Sequence, residues 1–89
     1  MISRTTERFR RCLTGRPEAV RKQAGEAYKR FAADPNHPSL YFKRVHTTEP
    51  VYSVRVSLDY RALGVRDGQE MIWFWIGFHA DYERRLAQW

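Results

Sequence analysis

Two arginines and a histidine in the second half of the chain carry its strongest chemical signal. Residues 52–58 alternate: Tyr52, Val54, Val56 and Leu58 share one side, and Ser53, Arg55 and Ser57 share the other. Arg61 opens the next segment after a short connection, so two guanidiniums can converge on one concave surface. A guanidinium is a planar fork of donors that matches phosphate oxygens, and two together form a phosphate clamp. The plain alternative is two solvated arginines, or arginines paired with Asp59 and Glu70, since exposed ion pairs on sheets are common and weak. His79 follows Gly77-Phe78 at the end of the last apolar segment. A histidine there can hand a proton to a leaving oxygen, or it can be a partly exposed structural residue. Asp81 can orient that imidazole or cap a helix, and Tyr82 can stack on a base or pack in the core. His46 closes an earlier segment and could face the same surface as Arg55. His37, within Asn36-His37-Pro38-Ser39, suits a local hydrogen bond. The three histidines and single cysteine show no metal-ligand spacing, and no Gly-rich phosphate loop, nucleophile elbow or paired carboxylate motif is present. Neither a metal nor a cofactor is therefore expected.

The charge balance points to an anionic partner. The 89 residues carry 16 Lys+Arg against 10 Asp+Glu, a net charge of +6, and the sequence pI is near 10.0. Thirteen of the sixteen cations are arginines. Such a surface suits nucleic acid or an acidic protein; the bland reading is a merely soluble surface. A chain of this length is expected to fold as one domain, residues 1–89, burying roughly 60–65% of its unfolded surface. The apolar run 71–78 is bounded by Glu70 and His79 and falls far short of the roughly 20 residues of a membrane span. A polar, basic N-terminus without an apolar stretch and a lone Cys12 lead us to expect a reducing cytoplasm and no membrane partner.

These side chains need a scaffold, and the periodicities supply one. Thr5 or Thr6 can cap a short helix with Glu7 in its first turn and Phe9 and Leu13 on one face. Gly15 stops it, and Pro17 opens a second helix with Val20, Ala24, Ala27, Tyr28 and Phe31 at helical spacing, ended by Asp34-Pro35. The second half predicts strands at 40–45, 52–58, 60–65 and 70–76, with Gly68 in a tight turn, and a short helix over 80–86. Residues 2–5 could add a brief edge strand. The fold class is α+β: an N-terminal helical hairpin packed on a twisted antiparallel sheet of about four strands, closed by a short C-terminal helix. The strand around Trp73 and Trp75 is apolar on both sides, so one of its faces is a candidate partner groove.

In this order and spacing the segments Asn36-His37-Pro38-Ser39-Leu40-Tyr41-Phe42-Lys43, Tyr52-Ser53-Val54-Arg55-Val56, Tyr60-Arg61-Ala62-Leu63 and Trp75-Ile76-Gly77-Phe78-His79-Ala80-Asp81-Tyr82 resemble the RelE/ParE superfamily of type II toxins over essentially the whole chain. The resemblance implies the toxin half of a toxin–antitoxin pair, a hetero-oligomer with a cognate acidic antitoxin. In the nuclease branch it implies an mRNA interferase that cuts mRNA in the ribosomal A site without a metal: the RNA 2′-OH attacks the adjacent phosphate and leaves a 2′,3′-cyclic end. By motif, Arg61 resembles the arginine that stabilises the phosphorane, Arg55 its basic neighbour, His79 the terminal general acid and Tyr82 the terminal aromatic that orients substrate. Lys43, His46, Arg55 and Tyr82 are the expected RNA contacts, and Trp73 and Trp75 the expected antitoxin contacts. Ser53 stands where some nucleases carry a base, which leaves the general base unassigned, with His46 as a candidate. The other branch implies an inhibitor of DNA gyrase without catalysis, and a third reading is a non-enzymatic nucleic-acid-binding module.

Overall fold

The computed structural model describes residues 1–87. The chain runs β1 (Ile2–Thr5), α1 (Glu7–Thr14), α2 (Glu18–Ala33), a 3₁₀ turn (Pro38–Leu40), β2 (Lys43–Arg44), β3 (Val51–Arg55), β4 (Tyr60–Asp67), β5 (Glu70–Phe78) and α3 (His79–Ala87). The class is α+β, as expected, but the sheet has five strands rather than about four, in the order β1-β5-β4-β3-β2. It is also mixed: β1 runs parallel to β5, while the other pairs are antiparallel. A parallel neighbour needs a long crossover, and here the strand that closes the sheet comes from the far end of the chain.

Local chemistry explains the helices. The Thr6 hydroxyl accepts from Phe9 N–H at 3.1 Å, which caps α1. Pro17 stands just ahead of α2, and the extended backbone of Asp34 ends it. The first predicted strand differs most from expectation. The His37 ring Nδ1 accepts from Ser39 N–H at 3.2 Å, the local bond expected of it, and winds residues 38–40 into a 3₁₀ turn. Tyr41 then takes a left-handed backbone, φ 47°, ψ 42°, so only Lys43 and Arg44 pair as β2. The expected strand over 52–58 ends at Arg55, because Val56 and Ser57 donate back to Tyr60 O and form a turn. Leu58, expected in the apolar row, lies in that turn and is 72% exposed.

Both faces of the sheet are covered. On one, α1 and α2 bury Phe9, Ala27 and Phe31 against Val54, Ala62, Met71, Trp73 and Ile76. On the other, Tyr82 of α3 packs with Val51, Leu63 and Trp75. Strict alternation would place Trp73 and Trp75 on the same face. Instead Gly64 pairs with Trp73 and Leu63 with Trp75, leaving Phe74 as the extra residue of a β-bulge. The bulge reverses the alternation and sends the two indoles to opposite faces. Each lies over a glycine: a Cβ at Gly64 would meet Trp73 Cε3 at 2.7 Å, and one at Gly77 would meet the Trp75 ring at 2.5 Å. Only a residue without a side chain lets these indoles lie flat on the strands.

Candidate active site

The end of the sheet beneath α3 opens into a cleft of about 150 Å³ lined by Tyr41, Lys43, Ser53, Arg55, Arg61, His79 and Tyr82. Three strands and a helix build it. Lys43 of β2 pairs with Ser53 of β3, and Arg55 of β3 pairs directly with Arg61 of β4. Strand alternation therefore aims Ser53, Arg55 and their neighbours at one surface. His79 and Tyr82, three residues apart, come down on it from the first turn of α3.

The turn between β3 and β4 fixes the two most important groups. Arg61 Nη1 donates to Ser57 O at 2.8 Å, Tyr60 O at 3.1 Å and Leu58 O at 3.3 Å. The backbone N–H of His79 donates to Asp59 O at 2.8 Å, which pins the start of α3 to the same turn. A short connection thus sets the position of both a guanidinium and an imidazole. The His79 ring stacks on Tyr82 at 5.6 Å between centroids, 20° from parallel, and its Nε2 lies 4.0 Å from Glu83 Oε1. Asp81 does not orient it; that carboxylate pairs with Arg84 one turn along α3.

The electrostatics are one-sided. Lys43, Arg55 and Arg61 bring three cations to a lining that holds no carboxylate among the described residues, while Asp59 acts on Arg61 and Glu83 on His79 from outside it. Glu70, the other partner considered for the arginines, bonds Arg4 at 3.1 Å instead. Burial, and then the neighbouring Arg55, hold the Arg61 guanidinium below the ordinary arginine range, and it still remains charged at neutral pH. Like charges directly across a strand pair repel, so the cleft is set to gain from an anion that bridges them. Ser53 is 2% exposed and is the buried polar residue of the sheet. Ser53 and Tyr82 both line the cleft, and no buried side-chain polar atom among the described residues lacks a partner.

The sequence-derived candidates divide cleanly. Arg55, Arg61, Lys43, His79 and Tyr82 meet in one place. His46 does not line the cleft: its Nδ1 accepts from Thr48 N–H at 3.2 Å and Glu49 N–H at 3.0 Å and organises its own turn. Trp75 is 5% exposed beneath α3, with the Arg85 guanidinium 5.4 Å from its ring centre, and it lines a cleft of about 250 Å³ with Arg16, Asp81, Arg84 and Arg85. Trp73 is 4% exposed, at the floor of a narrow apolar cleft between the hairpin and the sheet. Sequence reasoning put Ser53 on the right face without a role and missed Tyr41, whose place depends on a left-handed backbone that strand periodicity cannot reveal.

Comparison with known proteins defines the class. Among solved structures, the chain resembles the RelB-RelE antitoxin-toxin complex of Methanococcus jannaschii, with TM-score 0.73 and 14% identity over 92% of this chain and 96% of that one. It resembles the toxin-antitoxin complex RelBE2 of Mycobacterium tuberculosis, with TM-score 0.71 and 20% identity over 88% and 96%. It also resembles the YoeB/ParE toxin of Agrobacterium tumefaciens, with TM-score 0.67 and 14% identity over 89% and 99%. At these identities the likeness is one of fold. No curated protein matches the sequence. The ParE-like toxin domain matches residues 18–84, most of the chain. The protein belongs to the ParE-like toxin domain family, and its fold is that of the RelE and YoeB/ParE toxin structures.

Proposed function

We propose that this chain is the toxin of a toxin–antitoxin pair and that its cleft cleaves mRNA on the ribosome. One observation carries the reading: Arg55, Arg61 and Lys43 converge with His79 on the lining of one cleft. In the reaction the 2′-oxygen of the substrate forms a bond to the adjacent phosphorus, and the bond from phosphorus to the 5′-oxygen breaks. The charge that grows on the phosphorane oxygens meets Arg61 and Arg55, donors already fixed in place. His79, protonated, gives its proton to the departing 5′-oxygen. The 2′-OH loses its proton to solvent, helped by the field of the three cations. Tyr82 stacks beside His79 and orients the sugar or base. The product is a 2′,3′-cyclic phosphate, and no step calls for a metal.

The partner reading rests on fold and charge. Two of the similar structures are toxins solved with their antitoxins, and this chain carries +6. An acidic antitoxin would cover the arginines of the cleft, and its apolar side chains would enter the narrow cleft floored by Trp73. The test is expression of the chain without the neighbouring gene. The expected result is arrest of protein synthesis before DNA replication, with new mRNA 5′ ends inside codons. Replication stopping first while mRNA stays intact would replace this reading with inhibition of DNA gyrase.

A further inference from the structure

We infer that the site continues into a second nucleotide subsite, in which Tyr41 stacks on the base beside the scissile phosphate and Arg30 holds the next phosphate of a single-stranded RNA. The inference rests on the ribonuclease reading of the first cleft and extends it. A second cleft of about 460 Å³ adjoins the first and shares two residues with it, Tyr41 and Arg55; Arg30, Ser39 and Ser57 line the remainder. The volume is within the range of sites that take small-molecule ligands.

Tyr41 is the shared wall, and its conformation is unusual. Among the described residues it is the one non-glycine with positive φ, at 47°, a region where a Cβ crowds the backbone. Such an outlier persists only where its surroundings over-determine it, and it points to function. The surroundings here are visible. On one side Leu40 is fully buried. On the other, Phe42 packs on Phe31 at 4.9 Å and Tyr52 at 5.0 Å between ring centroids. The core therefore anchors both neighbours and turns the Tyr41 side chain outward, where it is 60% exposed. The Arg55 guanidinium lies 5.2 Å from the centre of its ring. A fixed, exposed aromatic ring backed by a guanidinium is a stacking platform for a base.

The order of groups suits an RNA strand better than an acidic peptide. Arg61 and Arg55 sit side by side in the first cleft, the Tyr41 ring is shared by both clefts and Arg30 lines the second, so a phosphate, a base and a further phosphate have groups to meet. Beside the Tyr41 ring the second cleft offers Pro38 and Val56 as apolar lining, set against the guanidiniums of Arg30 and Arg55, which suit phosphate.

The test is calorimetric titration of the full chain with two probes: inorganic phosphate, which the arginine pair of the first cleft can take alone, and a trinucleotide carrying a 2′-deoxy sugar at the scissile position. The trinucleotide is expected to bind tighter. Tyr41→Gly removes the ring while accepting the left-handed backbone, so it should fold normally and weaken trinucleotide binding by about 5- to 150-fold, the range for one base stacked on an aromatic. Tyr41→Phe should retain the affinity. Arg30→Gln should weaken the trinucleotide and leave phosphate bound at the first cleft. If phosphate binds but the trinucleotide gains nothing over it, the second subsite is overturned and the first cleft stands. If Tyr41→Gly and Arg30→Gln weaken only the binding of an acidic antitoxin peptide, the surface belongs to a protein partner. If the wild type binds neither probe, the reading of both clefts fails together.

Discussion

The two faces of the sheet do different work with the same alternation. The hairpin face is closed but for the narrow apolar cleft over Trp73: Phe31 is 2% exposed and meets Phe42 and Trp73 edge-on at 4.9 and 5.4 Å. The α3 face is closed only at one end, where Trp75, Leu63, Val51 and Tyr82 pack together. At the other end the side chains become Arg55, Arg61, Lys43 and Ser53, and the helix that covers the core supplies His79 instead of an apolar side chain. Stability is concentrated where aromatic rings interdigitate. Chemistry is placed where covering stops, close enough to the core to be rigid and open enough to admit an anion. The bulge at Phe74 permits both, since it supplies one indole to each face.

Removing an aromatic from the closed face should have the largest effect. Phe31→Ala is expected to cost about 3–5 kcal/mol, against a total stability of about 5–15 kcal/mol for a domain. Urea unfolding should show a lower midpoint at unchanged slope. A loss below about 1 kcal/mol would mean that the hairpin face does not dominate stability.

On the open face the order reverses, with activity falling and stability holding. The His79 side chain is about half exposed, at 48%. His79→Gln should therefore change stability by no more than about 0.5 kcal/mol, yet slow single-turnover cleavage of ribosome-bound mRNA by about 10²–10⁴-fold. Arg61→Ala should slow it by about 10²–10³-fold. Undiminished cleavage in His79→Gln would return that histidine to a structural role and leave the leaving group without an acid.

The difference between the faces also decides what could be read in advance. Helical spacing of Val20, Ala27 and Phe31 and the alternation of Tyr52 and Val54 carry the closed face in plain form, because burial of an apolar side repeats with the backbone period. Arg55, Arg61, His79 and Tyr82 were legible by type and position, and their meeting was legible through the resemblance. Three things were not. The bulge breaks the period-2 rule within the stretch Trp73-Phe74-Trp75, where both parities are apolar and hide the slip. The left-handed turn at Tyr41 follows from Leu40 and Phe42 both being claimed by the core, a tertiary fact. An edge strand over residues 2–5 is expected, but its parallel pairing, Ile2 with Glu70, joins residues far apart in the chain, and local sequence holds no signal for it.

The smallest expected effect tests the cause of the contrast. Arg55 and Arg61 are Cα partners across β3 and β4, and burial and Arg55 together depress the Arg61 guanidinium. A cross-strand pair of like charges destabilises by about 0.2–1 kcal/mol. Part of that is offset in the folded chain by the contact of Arg55 with the Tyr41 ring, worth about 0.5–1 kcal/mol at an exposed site. Arg55→Ala would remove both and show nothing clear. Arg55→Met removes the charge while leaving a long stem and a sulfur to lie against the same ring. It should raise the melting temperature by about 1–4 °C, since about 1 kcal/mol corresponds to about 4–8 °C in a domain of this size. The gap should narrow as sodium chloride is raised, because screening relieves the wild type of the same repulsion. Inorganic phosphate should do the opposite of the mutation: it should stabilise the wild type by bridging the two guanidiniums and stabilise Arg55→Met less. A variant that melts lower than the wild type and responds equally to phosphate would mean that the arginines do not act as a pair, and that Arg61 alone makes the open face an anion site.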